Sequence, residues 1–444
     1  MTRQIAESGI FILPAVTEKG SPEPDRFILY SPLAGKALVA DSAGVDLLVS
    51  RVAQKNNPSD DFGPVSRSLA ALLPPPEQAA DILRPCSSPK EYRKLSIIPT
   101  YKCNFSCSYC YSATGRAGAD LLPEKLIPAL DFFIDYERTQ GGGLSIFITG
   151  GGEPLMAWDI TKKAVTYAAA KARSSDLPLQ IMLISNGSLL DKEKIAFISS
   201  NNIFLSISFD MLEEQQNNHR GNYKTVVNNI ELLLNHGVIP SLSSTIIPKY
   251  VSKIPEMIRN VHSVFPEIKK INIDPVMIPH NELSQCAEIR SFFTEYTRCF
   301  FDVKHWAVQH GISLTCTTEK LLQRLATRYC PGKLCLTPQG TFSICHCVTS
   351  PMEQGYADCQ YGSIDERSGV HFTQEAFSRL LARNVSAYPE CADCFARWHC
   401  AGFCMTQRAM ASQETRGVLC EFVQFFLTRA LMDKLSSVTE ESGP

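Results

Sequence analysis

The chain has 444 residues, of which 44% are hydrophobic and 20% charged, and its formal net charge is −2. At about 150 residues per domain this length predicts about three domains, and the near-neutral charge excludes nucleic acid as a default partner. No apolar run reaches the roughly 18 residues of a membrane span, so no membrane partner is expected, and the first residues predict no signal peptide. The unusual feature is the count of 17 cysteines. Because the count is odd, complete internal pairing is impossible, and metal binding or catalysis is favoured.

Residues 1–90 are predicted to form a small α+β region. Two β-like runs, 10–16 and 26–40, are separated by turn residues, and a capped, short apolar helix follows them. Proline-rich stretches at 74–76 and 85–89 are typical of a linker.

Residues 91–315 alternate strand-like and helix-like segments. The strand-like segments are continuously apolar, as buried parallel strands are, and segments of helical periodicity lie between them. They are 95–99, 144–149, 179–185, 203–209, 241–247 and 270–274. Six strands, each followed by a helix, predict an α/β fold built on a partial (β/α)6 barrel, which carries its chemistry at the carboxyl ends of the strands. One more helix, at 286–310, has an aromatic face and completes this domain.

Three cysteines follow the first barrel strand with the spacing Cys103-x3-Cys107-x2-Cys110. Thiolates this close in a loop can hold three irons of a [4Fe–4S] cluster and leave the fourth iron open to a small molecule. A structural zinc site needs a fourth ligand, and none is nearby in the sequence. Tyr109, just before the last cysteine, is expected to shield the cluster or to stack on a bound ligand.

These cysteines and three later motifs resemble the radical S-adenosylmethionine superfamily. The motifs are Gly-Gly-Glu-Pro at 151–154, with an extra Gly150 before it, Ser185-Asn186-Gly187, and Ser-x-Asp at 208–210. Each motif alone is also an ordinary turn or helix cap, but together they follow consecutive predicted strands. The residues that the resemblance assigns to cofactor binding are Tyr109, Gly151, Gly152, Glu153, Ser185, Asn186, Ser208 and Arg220.

The resemblance implies a specific chemistry. In this superfamily the open iron chelates S-adenosylmethionine, and one electron from an external reductant releases a 5′-deoxyadenosyl radical that abstracts a substrate hydrogen. Cys103, Cys107 and Cys110 are the residues on which this chemistry would depend.

Residues 316–444 are rich in cysteine, and their spacing resembles the SPASM extension, which holds two auxiliary [4Fe–4S] clusters. The resemblance assigns Cys330, Cys335, Cys345 and Cys404 to the first auxiliary cluster, and Cys391, Cys394, Cys400 and Cys420 to the second. Two alternatives stay open. Cys347 could replace Cys335, and paired zinc sites would use the same Cys-x2-Cys spacing. Cys299, on the aromatic helix, is expected to be a small core residue.

Two auxiliary clusters suit oxidative chemistry, in which a substrate radical loses an electron. The resemblance implies a maturase that cross-links a ribosomally made precursor peptide, with a flavodoxin or ferredoxin as electron donor, in the reducing cytoplasm. One alternative is a formylglycine-forming sulfatase maturase, although His346 stands where those enzymes usually carry an Asp base. Another is a non-catalytic metal-cluster protein that binds a peptide. His346, Asp210 and Glu282 are open candidates for a general base.

Residues 1–90 also resemble the small winged-helix elements with which precursor-modifying enzymes recognise a leader peptide. Such elements bind the peptide by adding a strand to an exposed sheet edge. The alternative is an extension that only caps the barrel.

Overall fold

The structure is a computed structural model that describes residues 3–5, 9–17, 21–54, 72, 83, 86–116, 118–280, 282–330, 332–365 and 369–441. Its N-terminal part is an antiparallel four-stranded sheet and one helix. The elements are β1 (Arg3–Gln4), β2 (Phe11–Val16), β3 (Pro22–Ser31), β4 (Lys36–Ala40) and α1 (Ser42–Gln54). The β-like run at 26–40 is two strands rather than one, because Pro32 to Gly35 form a turn in which Gly35 has a φ of +62°. The predicted linker at 74–76 lies outside the described residues.

The central part is a succession of β/α units. Its elements are β5 (Lys94–Ile97), α2 (Pro123–Phe133), α3 (Tyr136–Thr139), β6 (Leu144–Ile148), α4 (Trp158–Ser174), β7 (Leu179–Ser185), α5 (Lys192–Ser200), β8 (Phe204–Ser208), α6 (Glu213–His219), α7 (Tyr223–Asn235), β9 (Ser241–Ile246), α8 (Ile254–Val264), β10 (Lys270–Pro275), α9 (Cys286–Gln309) and β11 (Ser313–Thr315). All neighbouring strands from β5 to β11 pair in parallel and in chain order. Parallel strands joined in order by right-handed helical crossovers wind into a barrel, so the predicted partial barrel is confirmed.

Local sequence explains how these units begin and end. Gly237 ends α7 with a φ of +72°, and Val238 N–H donates to Leu233 O at 3.0 Å, which is the bond that closes a Schellman cap. Asp191 accepts a bond from Lys194 N–H at 2.9 Å and so caps the start of α5. The aromatic face of the predicted helix at 286–310 is buried, and Cys299 within it is 1% exposed, as a core residue should be.

The C-terminal part continues the same sheet on the other side of β5. Its elements are α10 (Thr317–Lys320), β12 (Leu334–Leu336), β13 (Thr341–Ser343), α11 (Tyr356–Cys359), β14 (Gln360–Asp365), β15 (Gly369–Phe372), α12 (Gln374–Ala382), α13 (Arg397–Cys400), α14 (Met405–Met410) and α15 (Gln413–Glu441). Strand β12 pairs in parallel with β5, and β13 to β15 follow as an antiparallel meander. The cysteine-rich part is therefore attached directly to the first barrel strand.

The long helix α15 joins the three parts of the chain. Phe422 stacks on Phe293 of α9 with ring centroids 4.1 Å apart. On another side, the guanidinium of Arg429 donates to the backbone oxygen of Thr17, just after β2, at 2.8 Å. Among the described residues, no helix is both long and apolar enough to cross a membrane.

Candidate functional site

The loop that follows β5 brings the first three cysteines together. Cys110 N–H donates to Cys107 O at 3.2 Å, which closes a tight turn. Burial raises the pKa of the Cys103 and Cys107 thiols, and the neighbouring Cys110 raises both further. The guanidinium of Arg116 hydrogen-bonds Cys110. Three thiols that influence one another in one loop are a donor set suited to three irons of one cluster.

Residues between the end of β8 and the end of α6 hold this loop in place. Ser108 N–H donates to His219 O at 2.9 Å. The Tyr109 hydroxyl donates to the Asp210 carboxylate and accepts a bond from an Arg220 N–H at 3.3 Å. Burial raises the pKa of Asp210, and the Arg220 guanidinium opposes this. The Tyr109 hydroxyl is therefore engaged within the protein, which leaves only the ring to shield a cluster.

The glycine motif lies against the cysteine loop. Gly152 N–H donates to Thr100 O at 2.9 Å and Glu153 N–H to Lys102 O at 2.8 Å. A Cβ on Gly152 would stand 1.9 Å from Lys102 O, so only glycine fits there. Gly150, which is extra relative to the family motif, has a φ of +79°, and a Cβ on it would lie 3.3 Å from His346 O. The motif thus touches both cysteine regions.

Glu153 joins the ends of β6 and β7. It is 3% exposed, and its carboxylate accepts bonds from Ser185 Oγ and Asn186 N–H, each at 2.7 Å, and from Leu155 N–H at 3.1 Å. Burial raises the pKa of Glu153, and these hydrogen bonds oppose the shift. Both carboxylate oxygens therefore accept hydrogen bonds from the protein itself, and these bonds hold the end of β6 beside the end of β7.

The site residues predicted from the barrel motifs lie at one edge of the sheet. Ser208, half-buried, ends β8 and is paired in register with Ser243 of β9. The Asn186 amide donates to Asn104 Oδ1 at 2.9 Å, which connects the end of β7 to the cysteine loop. The sequence did not single out Asn104, although its position directly after Cys103 placed it in the motif. The carboxyl ends of β5 to β8 thus meet here, where barrels of this kind carry their sites.

The first C-terminal set of cysteines surrounds β12 and β13. Cys335, in β12, is fully buried beside Ile98 and Tyr101. Cys345 follows β13, and its pKa is lowered to about 7, chiefly by a hydrogen bond from the Cys347 thiol. Burial raises the pKa of Cys404 and also of Cys330, to about 11, and the neighbouring Cys345 adds to both shifts. The structure therefore brings the predicted thiols near Cys345, with Cys347 among them.

The second set lines a single cavity. Its volume is about 590 Å³, and its walls include the four predicted cysteines, Cys391, Cys394, Cys400 and Cys420. Cys391 and Cys394 precede α13, Cys400 is its last residue, and Cys420 lies in α15. Four thiols around one such cavity are the donor set of a fully ligated [4Fe–4S] cluster, so these residues fit that group.

Nowhere in the described part of the chain do three His, Cys, Asp or Glu side chains converge closely enough to share one metal ion.

The three candidate bases have different environments. The Nδ1 of His346 contacts the ammonium of Lys333, and burial, followed by that positive charge, lowers the His346 pKa to about 3. Asp210 is bound to Tyr109, and Glu282 is exposed. Lys333, which the sequence did not single out, is thus the charged group nearest His346 among the described residues.

Comparison with known proteins finds a family match for the central part of the chain. Residues 97–259 match the radical SAM superfamily. The chain is 22% identical over 172 residues to the antilisterial bacteriocin subtilosin biosynthesis protein AlbA of Bacillus subtilis, covering 37% of this chain and 36% of AlbA. It is 31% identical over 146 residues to the serine-type anaerobic sulfatase-maturating enzyme of Bacteroides thetaiotaomicron, covering 31% of this chain and 35% of that enzyme. The chain thus spans about a third of the length of each of these curated relatives.

Solved structures share the fold over more of the chain. anSMEcpe with bound AdoMet has a TM-score of 0.59 at 16% identity and covers 76% of this chain and 98% of its own. Streptococcus suis SuiB bound to precursor peptide SuiA has a TM-score of 0.51 at 12% identity and covers 94% of this chain and 98% of its own. Residues 97–259, which begin at the strand before the cysteine loop, thus match the radical SAM superfamily, and the chain shares its fold with these two solved structures.

Proposed function

We propose that this chain uses S-adenosylmethionine and three [4Fe–4S] clusters to oxidise a ribosomally made precursor peptide, most simply by cross-linking it. The observation that carries this proposal is the three-cysteine loop held against the glycine motif, with eight proposed cluster ligands among the eleven cysteines of residues 316–444, the part attached to β5. A three-thiol cluster supplies, when bound, the electron that cleaves S-adenosylmethionine to a hydrogen-abstracting radical.

The chain's own residues would position the reactants. Cys103, Cys107 and Cys110 would hold the reducing cluster. The backbone of Gly151 and Gly152 would contact the cofactor, and the absence of side chains at both positions lets this segment lie directly against the cysteine loop. The other proposed cofactor contacts are Tyr109, Glu153, Ser185, Asn186, Ser208 and Arg220, and several of these also bond one another. A preformed network of this kind limits the ordering that binding would require.

Eight C-terminal thiols would hold the two auxiliary clusters. Such clusters can accept the electron that an oxidised substrate must lose, and a flavodoxin or ferredoxin would complete the electron supply. Two similar proteins support a peptide substrate. AlbA is a biosynthesis protein of the bacteriocin subtilosin, and SuiB was solved with the precursor peptide SuiA bound. Clusters of this type also suit a reducing cytoplasm.

The first test is metal content together with cofactor cleavage. Purified without oxygen and reconstituted with iron and sulfide, the wild-type chain should hold about twelve irons, about four for each cluster. Incubated with S-adenosylmethionine and dithionite, it should release 5′-deoxyadenosine. About four irons, or zinc alone, would contradict the three-cluster proposal, and a protein that only binds peptides would release no 5′-deoxyadenosine.

Sulfatase maturation is a second candidate function. It is favoured by the 31% identity to the serine-type sulfatase-maturating enzyme. A sulfatase-derived peptide with a serine or cysteine at the modified position distinguishes the two. Formylglycine in that peptide would support this second candidate, whereas a loss of two hydrogens without formation of an aldehyde in a precursor peptide would support cross-linking.

The N-terminal sheet is the proposed recognition element for the leader of the precursor peptide. Strand β4 pairs with β3 on one side, and no other strand of the described residues pairs with its outer edge. Val39 on β4 is 40% exposed. An extended peptide could add to this edge as a further strand and pack against Val39.

Charge at this edge is expected to weaken leader binding. In the variant Val39→Lys, the affinity for a fluorescent precursor peptide, measured by anisotropy, should fall about tenfold, because a buried contact is replaced by a solvated charge. Release of 5′-deoxyadenosine without peptide should stay unchanged. Val308→Lys, the same change at a 64% exposed valine on α9, is the matched control. Equal affinity in the two variants would contradict recognition at β4.

A further inference from the structure

One arginine in the second cysteine cavity has no assigned role. Arg397 begins α13, inside the Cys394-x5-Cys400 segment, and lines the cavity of about 590 Å³ together with all four thiols of the second set. Its Nε is buried and has no hydrogen-bond partner among the described residues. A buried donor of this kind normally has a partner, because an unmet N–H costs about 1–3 kcal/mol. We therefore expect the Nε–H of Arg397 to donate its hydrogen bond to a ligand bound in the cavity.

The structure fixes the Arg397 guanidinium at the cavity wall. It lies over the ring of Trp398 at 4.5 Å, and its Nη1 donates to Ala392 O at 3.4 Å. Its backbone N–H donates to Cys394 O at 3.0 Å. Both oxygens belong to the turn that carries Cys391 and Cys394, so the guanidinium and two of the thiols are parts of one local unit.

The charges around Arg397 also point to a negative ligand. Arg408, its neighbour at the site, is neutralised by an ion pair with Glu390 and lies over the ring of Tyr388. Arg397 forms no ion pair within the described part of the chain. The positive charge of Arg397 therefore lies in the wall of the cavity that the four thiols line.

We propose that Arg397 donates a hydrogen bond to the second auxiliary cluster and raises the reduction potential of that cluster alone. This inference rests on the proposed function, since it takes the four thiols to hold an iron–sulfur cluster. A thiolate-bound cluster is negative and becomes more negative on reduction, so a nearby cation and an N–H donor stabilise the reduced form more. Arg397 thereby makes the second cluster a better electron acceptor than the same cluster would be without this residue. Arg397 is a positioning and tuning residue and touches no substrate.

The test is a redox titration followed by electron paramagnetic resonance. The background is the full chain with Cys103, Cys107 and Cys110 changed to Ala, which leaves the two auxiliary clusters. Adding Arg397→Gln should lower one of the two reduction potentials by about 59 mV, a tenfold change for a one-electron couple, and leave the other unchanged. Arg397→Lys keeps the charge and should shift the same potential less. Arg379→Gln, at an exposed arginine on α12, should shift neither.

Three outcomes separate this inference from the proposed function. If the background chain holds about eight irons and Arg397→Gln shifts neither potential, the role of Arg397 is wrong. If the background chain binds no iron, the proposed auxiliary clusters themselves are wrong. If Arg397→Gln loses iron and the background chain does not, the potential of the second cluster cannot be compared between the two. The background chain is then labelled with ¹⁵N-arginine, and electron spin echo spectroscopy measures the coupling of ¹⁵N to the second cluster. Absence of a ¹⁵N coupling at the second cluster would then overturn the proposal, and its presence would support it.

Discussion

Replacing Cys103, Cys107 and Cys110 by Ala should abolish release of 5′-deoxyadenosine and lower the iron content by about four per chain. The effect should be complete, because no other thiol of the described residues lies in the loop after β5. Nucleoside release is measured by chromatography after incubation with S-adenosylmethionine and dithionite. Iron is measured on the same preparation, so that loss of the cluster and loss of activity are compared directly.

The matched control for this variant is Cys299→Ala. Cys299 is a buried cysteine on α9, far along the chain from the loop, and it packs in the hydrophobic core. Its replacement should cost some stability through a small cavity but should leave both the iron content and nucleoside release at the wild-type level. The eight C-terminal thiols can hold about eight irons in two clusters. The proposal would be contradicted if the triple variant still held about twelve irons, or if it still cleaved the cofactor.

The elements of the barrel could be predicted because their signals are local. Strands such as Leu179–Ser185 are apolar runs of the right length, and α7 has helical periodicity and a glycine cap, so each could be recognised within one short window. The run at 26–40 was the exception. It contains Pro32 and Gly35, which are ordinary turn residues, and the short hairpin turn that they form between β3 and β4 was not recognised in the sequence.

The cysteine loop and the motifs were found in the sequence, but their contacts were not. Glu153 and Asn186 are 33 residues apart, and the bond between them exists only because β6 and β7 are neighbours. Arg397 was overlooked for the same reason. Its proposed role depends on a cavity that is complete only because α15 brings Cys420 to the same place. Side chains that serve a site assembled from distant segments carry no periodic signal.

One long-range contact connects the proposed recognition sheet to the cysteine-rich part. Tyr30 of β3 bonds the Nε2 of His399 at 2.5 Å, and the two rings stack with centroids 5.8 Å apart. His399 directly precedes Cys400, and its Nδ1 lies 2.9 Å from Arg324 O. The N-terminal sheet is therefore packed against the segment that lines the second cavity, and this contact gives the sheet a structural role in addition to the proposed recognition of a leader.

The second large effect is expected at Glu153. In Glu153→Gln one carboxylate oxygen becomes an amide NH₂, which can no longer accept a hydrogen bond. If the NH₂ replaces Oε2, it faces Asn186 N–H. If it replaces Oε1, it faces the Ser185 hydroxyl and Leu155 N–H. A buried donor left without an acceptor costs about 1–3 kcal/mol, so the free energy of unfolding should fall by about that amount. Because the same bonds set the ends of β6 and β7, nucleoside release should fall at least about tenfold, the rate equivalent of about 1.4 kcal/mol. Denaturant unfolding and nucleoside release are the two measurements.

Glu137→Gln is the control for Glu153→Gln, because it makes the same chemical change at an exposed residue of α3. It should move neither measurement beyond error, as surface substitutions usually do. If Glu153→Gln instead unfolded like the wild type but released no nucleoside, the carboxylate would act on the cofactor directly rather than through the strand ends. If both measurements stayed at the wild-type level, the bonds to Ser185 and Asn186 would contribute nothing, and the site would have to be held by the glycine backbone and the cysteine loop alone.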